Sequence, residues 1–134
     1  YRERFKPSTQ LAEPYVMLGY NVFAAESEDE AVYLRSSALQ AMLQLRRGNP
    51  SQLPPPVAGF EETLTAPELA MLEMITSCSA VGTVDSVAEQ MASFLARTGA
   101  DELMCVGSIF DHQKRLESFR LAAAARDKLI KKAA

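Results

Sequence analysis

The chain has 134 residues, of which 48% are hydrophobic and 23% are charged. This composition is typical of one globular domain and excludes a disordered chain. The formal net charge is -3 and the basic residues are dispersed among acidic ones, so nucleic acid is not an expected partner. No apolar run approaches the ~20 residues that cross a bilayer, so no membrane span is expected.

The first residues indicate that the chain is part of a longer protein, and the cysteines indicate a reducing compartment. Tyr1–Phe5 shows neither an initiator methionine nor a signal peptide. We expect the end of a helix there, stopped by Lys6-Pro7, so the chain resembles a fragment of a longer protein. Cys78 and Cys105 lie in apolar surroundings without metal-ligand spacing, which favours buried, reduced thiols in a cytoplasmic protein and no metal site.

Two apolar runs are typical of strands that are buried on both faces. Tyr15–Ala24 is rich in aromatic and β-branched residues, and Leu103–Ile109 is apolar at both odd and even positions. We predict strands over about 14–25 and 102–109. Because helices connect the two runs, the strands should be parallel, and we expect them to be neighbours.

The intervening and final segments have helical signals. Ser27 with Glu30, and Thr65 with Glu68, form capping-box patterns ahead of apolar positions at helical spacing. The first pattern predicts a helix over about 28–47, and the whole stretch 28–80 is assigned to a helical insertion.

Two further helices are predicted towards the C-terminus. Thr83 is placed as the N-cap of a helix over about 84–98, and Asp111 as the cap of a last helix over about 112–132. The predicted fold is therefore α/β, with two parallel strands and four to five helices in a single unit spanning 1–134.

Two strands cannot bury themselves, so their edges and some apolar faces should be left open. Exposed strand edges are templates for further pairing, which predicts a homo-oligomer. The side chains expected to remain in water are Val16, Leu18, Val22, Met104 and Val106.

Five stretches, in their order and spacing, resemble the late barrel region of bacterial luciferase-like monooxygenases. They are Tyr1–Ser8, Pro14–Gly19, Val81–Val87, Thr98–Leu103 and Ile109–His112. In that family a glycine and a hydroxyl residue open the helix before the eighth strand, and a Gly-Ala/Val-Asp-Glu-Leu segment leads into that strand. An aromatic-Asp-His turn begins the last helix in one subgroup. The resemblance covers nearly the whole chain.

The resemblance implies the C-terminal part of a TIM (β/α)8 barrel, with an insertion after strand seven and with this chain supplying strands seven and eight. It implies a flavin-dependent monooxygenase that uses reduced FMN and molecular oxygen on a small organic substrate. The family residues that hold the flavin phosphate lie mostly in the middle strands. The fragment alone is therefore expected neither to bind FMN tightly nor to be active.

The carboxyl ends of barrel strands carry the active site, which directs attention to two short stretches. Asn21 is the one polar side chain within an apolar strand, and it would either face a flavin or substrate or bond to neighbouring backbone. Gly107 would permit close approach to a ligand or relieve crowding in the barrel, and Ser108 offers a hydroxyl.

Three more residues are candidates at helix starts. Gly82 and Thr83 open a helix whose amino end could receive an anion, although an ordinary N-cap also explains the threonine. His112 is the sole histidine and the weak candidate for catalysis; at a helix start it is most often a surface residue. No other catalytic residue is assigned.

Two rival functions are compatible with the sequence. A deazaflavin-dependent oxidoreductase of the same family would share the barrel. A non-catalytic α/β oligomerisation or interaction module would be related to the barrel enzymes by ancestry only. Several further strand–helix units upstream of Tyr1 would favour the barrel over the module.

Overall fold

The computed structural model describes residues 1–133, and the side chains of residues 1–130. Within this range the chain forms three strands and four α-helices, as an α/β fold. The predicted unit of 1–134 extends to Ala134, which lies outside the described residues. In chain order the elements are β1 (Met17–Ala24), α1 (Glu28–Arg46), α2 (Ala66–Ile75), β2 (Ser79–Gly82), α3 (Val84–Thr98), β3 (Glu102–Val106) and α4 (His112–Ala133).

The sheet is entirely parallel, with the order β2-β1-β3. β1 and β3 are neighbours, and Tyr20 stands opposite Cys105 in their register. The predicted parallel pairing of the two long apolar runs is therefore confirmed. The predicted number of strands is wrong, because β2 pairs with the other edge of β1 along Asn21–Ala24. Ser79 and Ala80 fall within the predicted helical insertion, and Gly82 falls at the predicted start of the next helix.

Helices cover the sheet on both faces. On one face, α3 and α4 pack against alternate residues of β1, around Tyr20 and Val22. The Tyr20 ring lies 4.6 Å from that of Phe94, and burial raises the pKa of its hydroxyl to about 12. On the other face, α1 packs against Phe23, which lies in a second apolar cluster with Ile109.

The predicted helix starts are confirmed. The Ser27 side chain accepts a hydrogen bond from the backbone of Glu30, and Thr83 and Asp111 cap α3 and α4 in the same way. Because a cap acts within one turn, each of these starts could be predicted from local sequence. Tyr1–Phe5 contains a three-residue 3-10 turn over Arg2–Arg4.

One part of the α1 face stays open. α1 covers the carboxyl half of β1, whereas Met17, Met104 and Val106 are about half exposed towards the amino half. We call the surface formed by Met17, Gly19, Asn21, Met104 and Val106 the open face; the register places these residues on the same side of β1 and β3. The expectation that Val22 would be left in water is wrong, because α3 and α4 bury it completely.

Candidate functional site at the carboxyl ends of the strands

The parallel strands end at a common edge, which is where α/β proteins place their ligands. Here the segment that follows β3 crosses the end of β1. Ile109 is 1% exposed and packs in the cluster with Phe23, while Phe110 beside it remains half exposed. A cavity of about 20 Å³ lies near the end of β1, lined in part by Ala24 and Ala25. This cavity is smaller than a small-molecule site requires.

Gly82 and Thr83 lie where predicted, at the amino end of α3, and a carboxylate of the chain itself already lies against them. Glu28 Oε1 accepts hydrogen bonds from the backbone N–H of Thr83 at 3.1 Å and from its hydroxyl at 2.9 Å. The hydroxyl of Ser86 donates a third bond at 2.6 Å. Helix amino ends attract anions, and Glu28 supplies one.

Electrostatics agree with this arrangement. The hydrogen bonds from Ser86 and Thr83 hold the pKa of the Glu28 carboxyl below its ordinary value. Gly82 has a φ of +134°, a backbone conformation that favours glycine. A Cβ at Gly82 would overlap the Glu28 carboxylate and lie 2.9 Å from the Ser86 Cβ, so the glycine makes room for this cluster.

Gly107 allows two chain segments to approach closely. A Cβ there would lie 3.0 Å from the carbonyl oxygen of Val22 and 3.6 Å from the ring of Phe119. The close contact is thus with the protein's own backbone. Ser108 follows as an exposed residue.

Ser118 is a polar residue of this edge that sequence reasoning missed. Its side chain is 2% exposed, and its Oγ accepts a hydrogen bond of 2.8 Å from the backbone N–H of Ala24. This contact ties α4 to the last residue of β1. A serine within an apolar helical stripe carries no signal of such a partner, since the two residues are 94 positions apart.

Asn21 lies apart from the helix starts, on the open face. It is half-buried and stands opposite Ser79 on one side and Val106 on the other. A Cβ at Gly19 would meet nothing within 4 Å, so there is open space beside this residue of the open face.

His112 lies on the surface at the first residue of α4. Its Nδ1 is 2.8 Å from the guanidinium of Arg115, and the ring nitrogen must accept because a guanidinium only donates. The described residues thus place a cation beside this ring, where a general base would need an orienting carboxylate.

The six predicted residues take part in different contacts. Gly82 and Thr83 lie against Glu28, Gly107 and Ser108 lie in the segment that crosses the end of β1, Asn21 lies on the open face, and His112 is the first residue of α4. A cavity of about 600 Å³ lies elsewhere, between α3, β3 and α4. Glu28 could not be predicted as a partner of Thr83, since the two are 55 positions apart.

Two further findings concern ions and membranes. In the part of the chain that the structure describes, no three His, Cys, Asp or Glu side chains are grouped closely enough to hold a metal ion. No helix there combines the length and apolar character that crossing a bilayer requires.

Cys105 is half-buried as a free thiol, whereas Cys78 is exposed, so the expectation of burial is wrong for Cys78.

The chain is similar to proteins of Escherichia coli and Bacillus subtilis. It is 42% identical over 130 residues to the "Luciferase-like monooxygenase" of Escherichia coli (strain K12), a match that covers 97% of this chain and 39% of that protein. It is 37% identical over 123 residues to the "Uncharacterized protein YvbT" of Bacillus subtilis (strain 168), covering 92% of this chain and 37% of that protein. No family model matches the chain.

A solved structure has a similar fold. The crystal structure of apo-MsnO8 superimposes with a TM-score of 0.73 and 27% identity, over 95% of this chain and 39% of that one. The chain spans about two fifths of the length of the curated relatives that it matches at 42% identity. The resemblance to luciferase-like monooxygenases that its motifs predicted is therefore confirmed.

Proposed function

We propose that this chain is the C-terminal part of a (β/α)8-barrel monooxygenase that uses reduced FMN and molecular oxygen on a small organic substrate. The similarity to a luciferase-like monooxygenase carries this proposal. The parallel pairing of β1 with β3 supports it, since strands seven and eight of a barrel must be neighbours.

The described residues do not by themselves form a binding site for the flavin phosphate. The candidate for an anion was the amino end of α3, and the Glu28 carboxylate already accepts the hydrogen bonds of Thr83 there. We therefore place the phosphate on the rest of the parent protein, and we propose that this chain by itself is inactive. FMN, when bound, would supply the activation of oxygen.

We propose the open face as this chain's contribution to the interior of the barrel. Asn21 offers an amide to a substrate or ring, and Met17, Met104 and Val106 offer apolar surface that excludes water. The exposure of these side chains supports the assignment, because interior residues of a barrel are covered only when its other strands are present.

The rival proposals differ in what they require. A deazaflavin enzyme would use the same open face with a different cofactor. A non-catalytic module would leave the open face without a ligand.

The two free thiols support a reducing compartment, and we propose the cytoplasm.

Oxygen consumption by the full-length parent tests this function. With photoreduced FMN, the parent should consume oxygen and convert a substrate from a panel of small organic compounds, whereas reduced deazaflavin should not support oxygenation. Replacing Asn21 by Ala should raise the KM, and replacing the exposed Glu13 by Ala should leave it unchanged. Substrate oxygenation that depended on deazaflavin, or no turnover with either cofactor, would contradict the proposal.

A further inference from the structure

A cavity lies on the side of α1 that is turned away from the sheet. Ala31, Leu34 and Ala38 pack on the sheet side of this helix. At about 3.6 residues per turn, positions 29, 32, 33 and 36 lie on the opposite side. There the segment 57–62 passes over α1 and borders a cavity of about 370 Å³. This volume falls within the range of small-molecule sites, ~300–1,000 Å³.

Polar contacts hold the walls of this cavity in place. The backbone N–H of Val57 donates a hydrogen bond of 2.8 Å to Ser36 Oγ, and the Arg35 guanidinium pairs with the Glu61 carboxylate. Both contacts tie the segment 57–62 to α1. The cavity is therefore formed before a ligand binds, as small-molecule sites usually are.

The walls of the cavity are mainly apolar and remain accessible. Val32 is 45%, Tyr33 42% and Val57 43% exposed, and Phe60 also lines the cavity. Aromatic rings such as those of Tyr33 and Phe60 bury apolar groups well, and the negative face of the ring attracts cations. These walls suit a ligand that has an apolar body and a positive charge.

The carboxylates at the cavity agree with a positively charged ligand. Asp29 and Glu62 line it, and neither takes part in a salt bridge among the described residues. Glu62 Oε2 would lie 3.4 Å from a Cβ at Gly59, which places this carboxylate against the turn that borders the cavity. Within residues 1–130, no three acidic, histidine or cysteine side chains are grouped for a metal ion, so the arrangement suits a larger cation.

We propose that this cavity, which we call the amine site, binds a small organic amine. The ammonium group donates charge-assisted hydrogen bonds to Asp29 and Glu62. The apolar body of the ligand packs against Val32, Tyr33 and Phe60. The amine site is separated from the sheet by α1, so it is distinct from the open face and does not depend on the flavin chemistry proposed above.

Isothermal titration calorimetry with phenethylamine tests the amine site. This compound carries an ammonium group at neutral pH, and phenethyl alcohol is its uncharged analogue of similar shape. The purified chain should bind the amine with a Kd that is millimolar or lower, and the alcohol roughly tenfold more weakly. The full-length parent should bind the amine as the chain does.

Removal of the carboxylates tests the role of charge. Asp29→Asn and Glu62→Gln should each weaken the binding of phenethylamine roughly threefold, because each removes one exposed charge interaction. The double variant should bind about tenfold more weakly, because independent effects on free energy add. Glu73→Gln removes an exposed carboxylate of α2 that does not line the cavity, and it should leave the Kd unchanged.

Filling the cavity tests its position on the molecule. Val32→Trp should abolish binding, because the larger side chain occupies the space of the ligand. Leu45→Trp introduces the same side chain at an exposed position of α1 outside the cavity and should bind normally. Circular dichroism verifies that each variant is folded.

Four results would each overturn the amine site. They are equal affinity for amine and alcohol, a double variant of Asp29 and Glu62 that binds as the wild type does, equal binding by Val32→Trp and Leu45→Trp, and no binding by the full-length parent. Oxygen consumption by the parent with reduced FMN is measured separately, so the proposed flavin chemistry stands or fails independently.

Discussion

The carboxylate of Glu28, in the first turn of α1, accepts two hydrogen bonds from Thr83, the N-cap of α3. One side chain thus joins the amino ends of two helices that pack on opposite faces of the sheet. Because a helix amino end has unpaired N–H groups and a partial positive charge, a carboxylate there stabilises both.

Glu28→Gln should lower the free energy of unfolding at neutral pH. The folded state holds the pKa of Glu28 below its ordinary value of 4.5, so its contribution is present above that value and is lost as the pH falls through the lowered pKa. The difference between wild type and variant should therefore shrink in acid. Urea unfolding at neutral and acidic pH measures it, with the exposed Glu73→Gln as the control. A difference that grew in acid would contradict this account.

The helices could be predicted because their start signals are local. The strand β2 could not, because it depends on pairing with residues that are distant in the sequence. Ser27, Thr83 and Asp111 act within one turn, so their roles follow from neighbouring residues. β2 has only four residues, and its strand conformation depends on pairing with Asn21–Ala24 of β1. Such a short segment has no periodicity of its own to detect.

The candidate site was harder to predict than the fold for the same reason. The helix start at Gly82 and Thr83 indicates either an ordinary N-cap or an anion site, and the anion that lies there, Glu28, comes from another part of the chain. Gly107 was identified as a place of close approach, and its partner is the Val22 carbonyl. The residue types at these positions indicated a helix start and a close approach. Which residue each of them contacts depends on the tertiary fold and could not be predicted from the sequence.

Gly82→Ala should destabilise the chain by roughly 1–3 kcal/mol, the cost of a side chain in a sparsely populated backbone conformation. Its φ of +134° disfavours any Cβ, and the Glu28 carboxylate would also have to move. Thermal unfolding measures the loss. Gly19→Ala is the matched control, since a Cβ there meets nothing within 4 Å. Equal effects of the two substitutions would show that Gly82 is not under this constraint.

Ser118→Ala should cost about 1–3 kcal/mol, because it leaves the buried N–H of Ala24 without its partner. Ser37 offers a control of the same type: it is fully buried, and its Oγ has no hydrogen-bond partner in the structure. Ser37→Ala should therefore be neutral or stabilising. Chemical denaturation of both variants makes the comparison, and a larger loss for Ser37→Ala would reverse our interpretation of this edge.

Flavin titration of the chain beside its full-length parent tests the central claim most directly. The claim is that this chain is the C-terminal part of a flavoenzyme, carrying the open face but not the phosphate site. Quenching of FMN fluorescence should report binding by the parent and none by the isolated chain across the micromolar range, because the Glu28 carboxylate already occupies the amino end of α3. A micromolar Kd for the isolated chain, or no binding by the parent, would contradict the account.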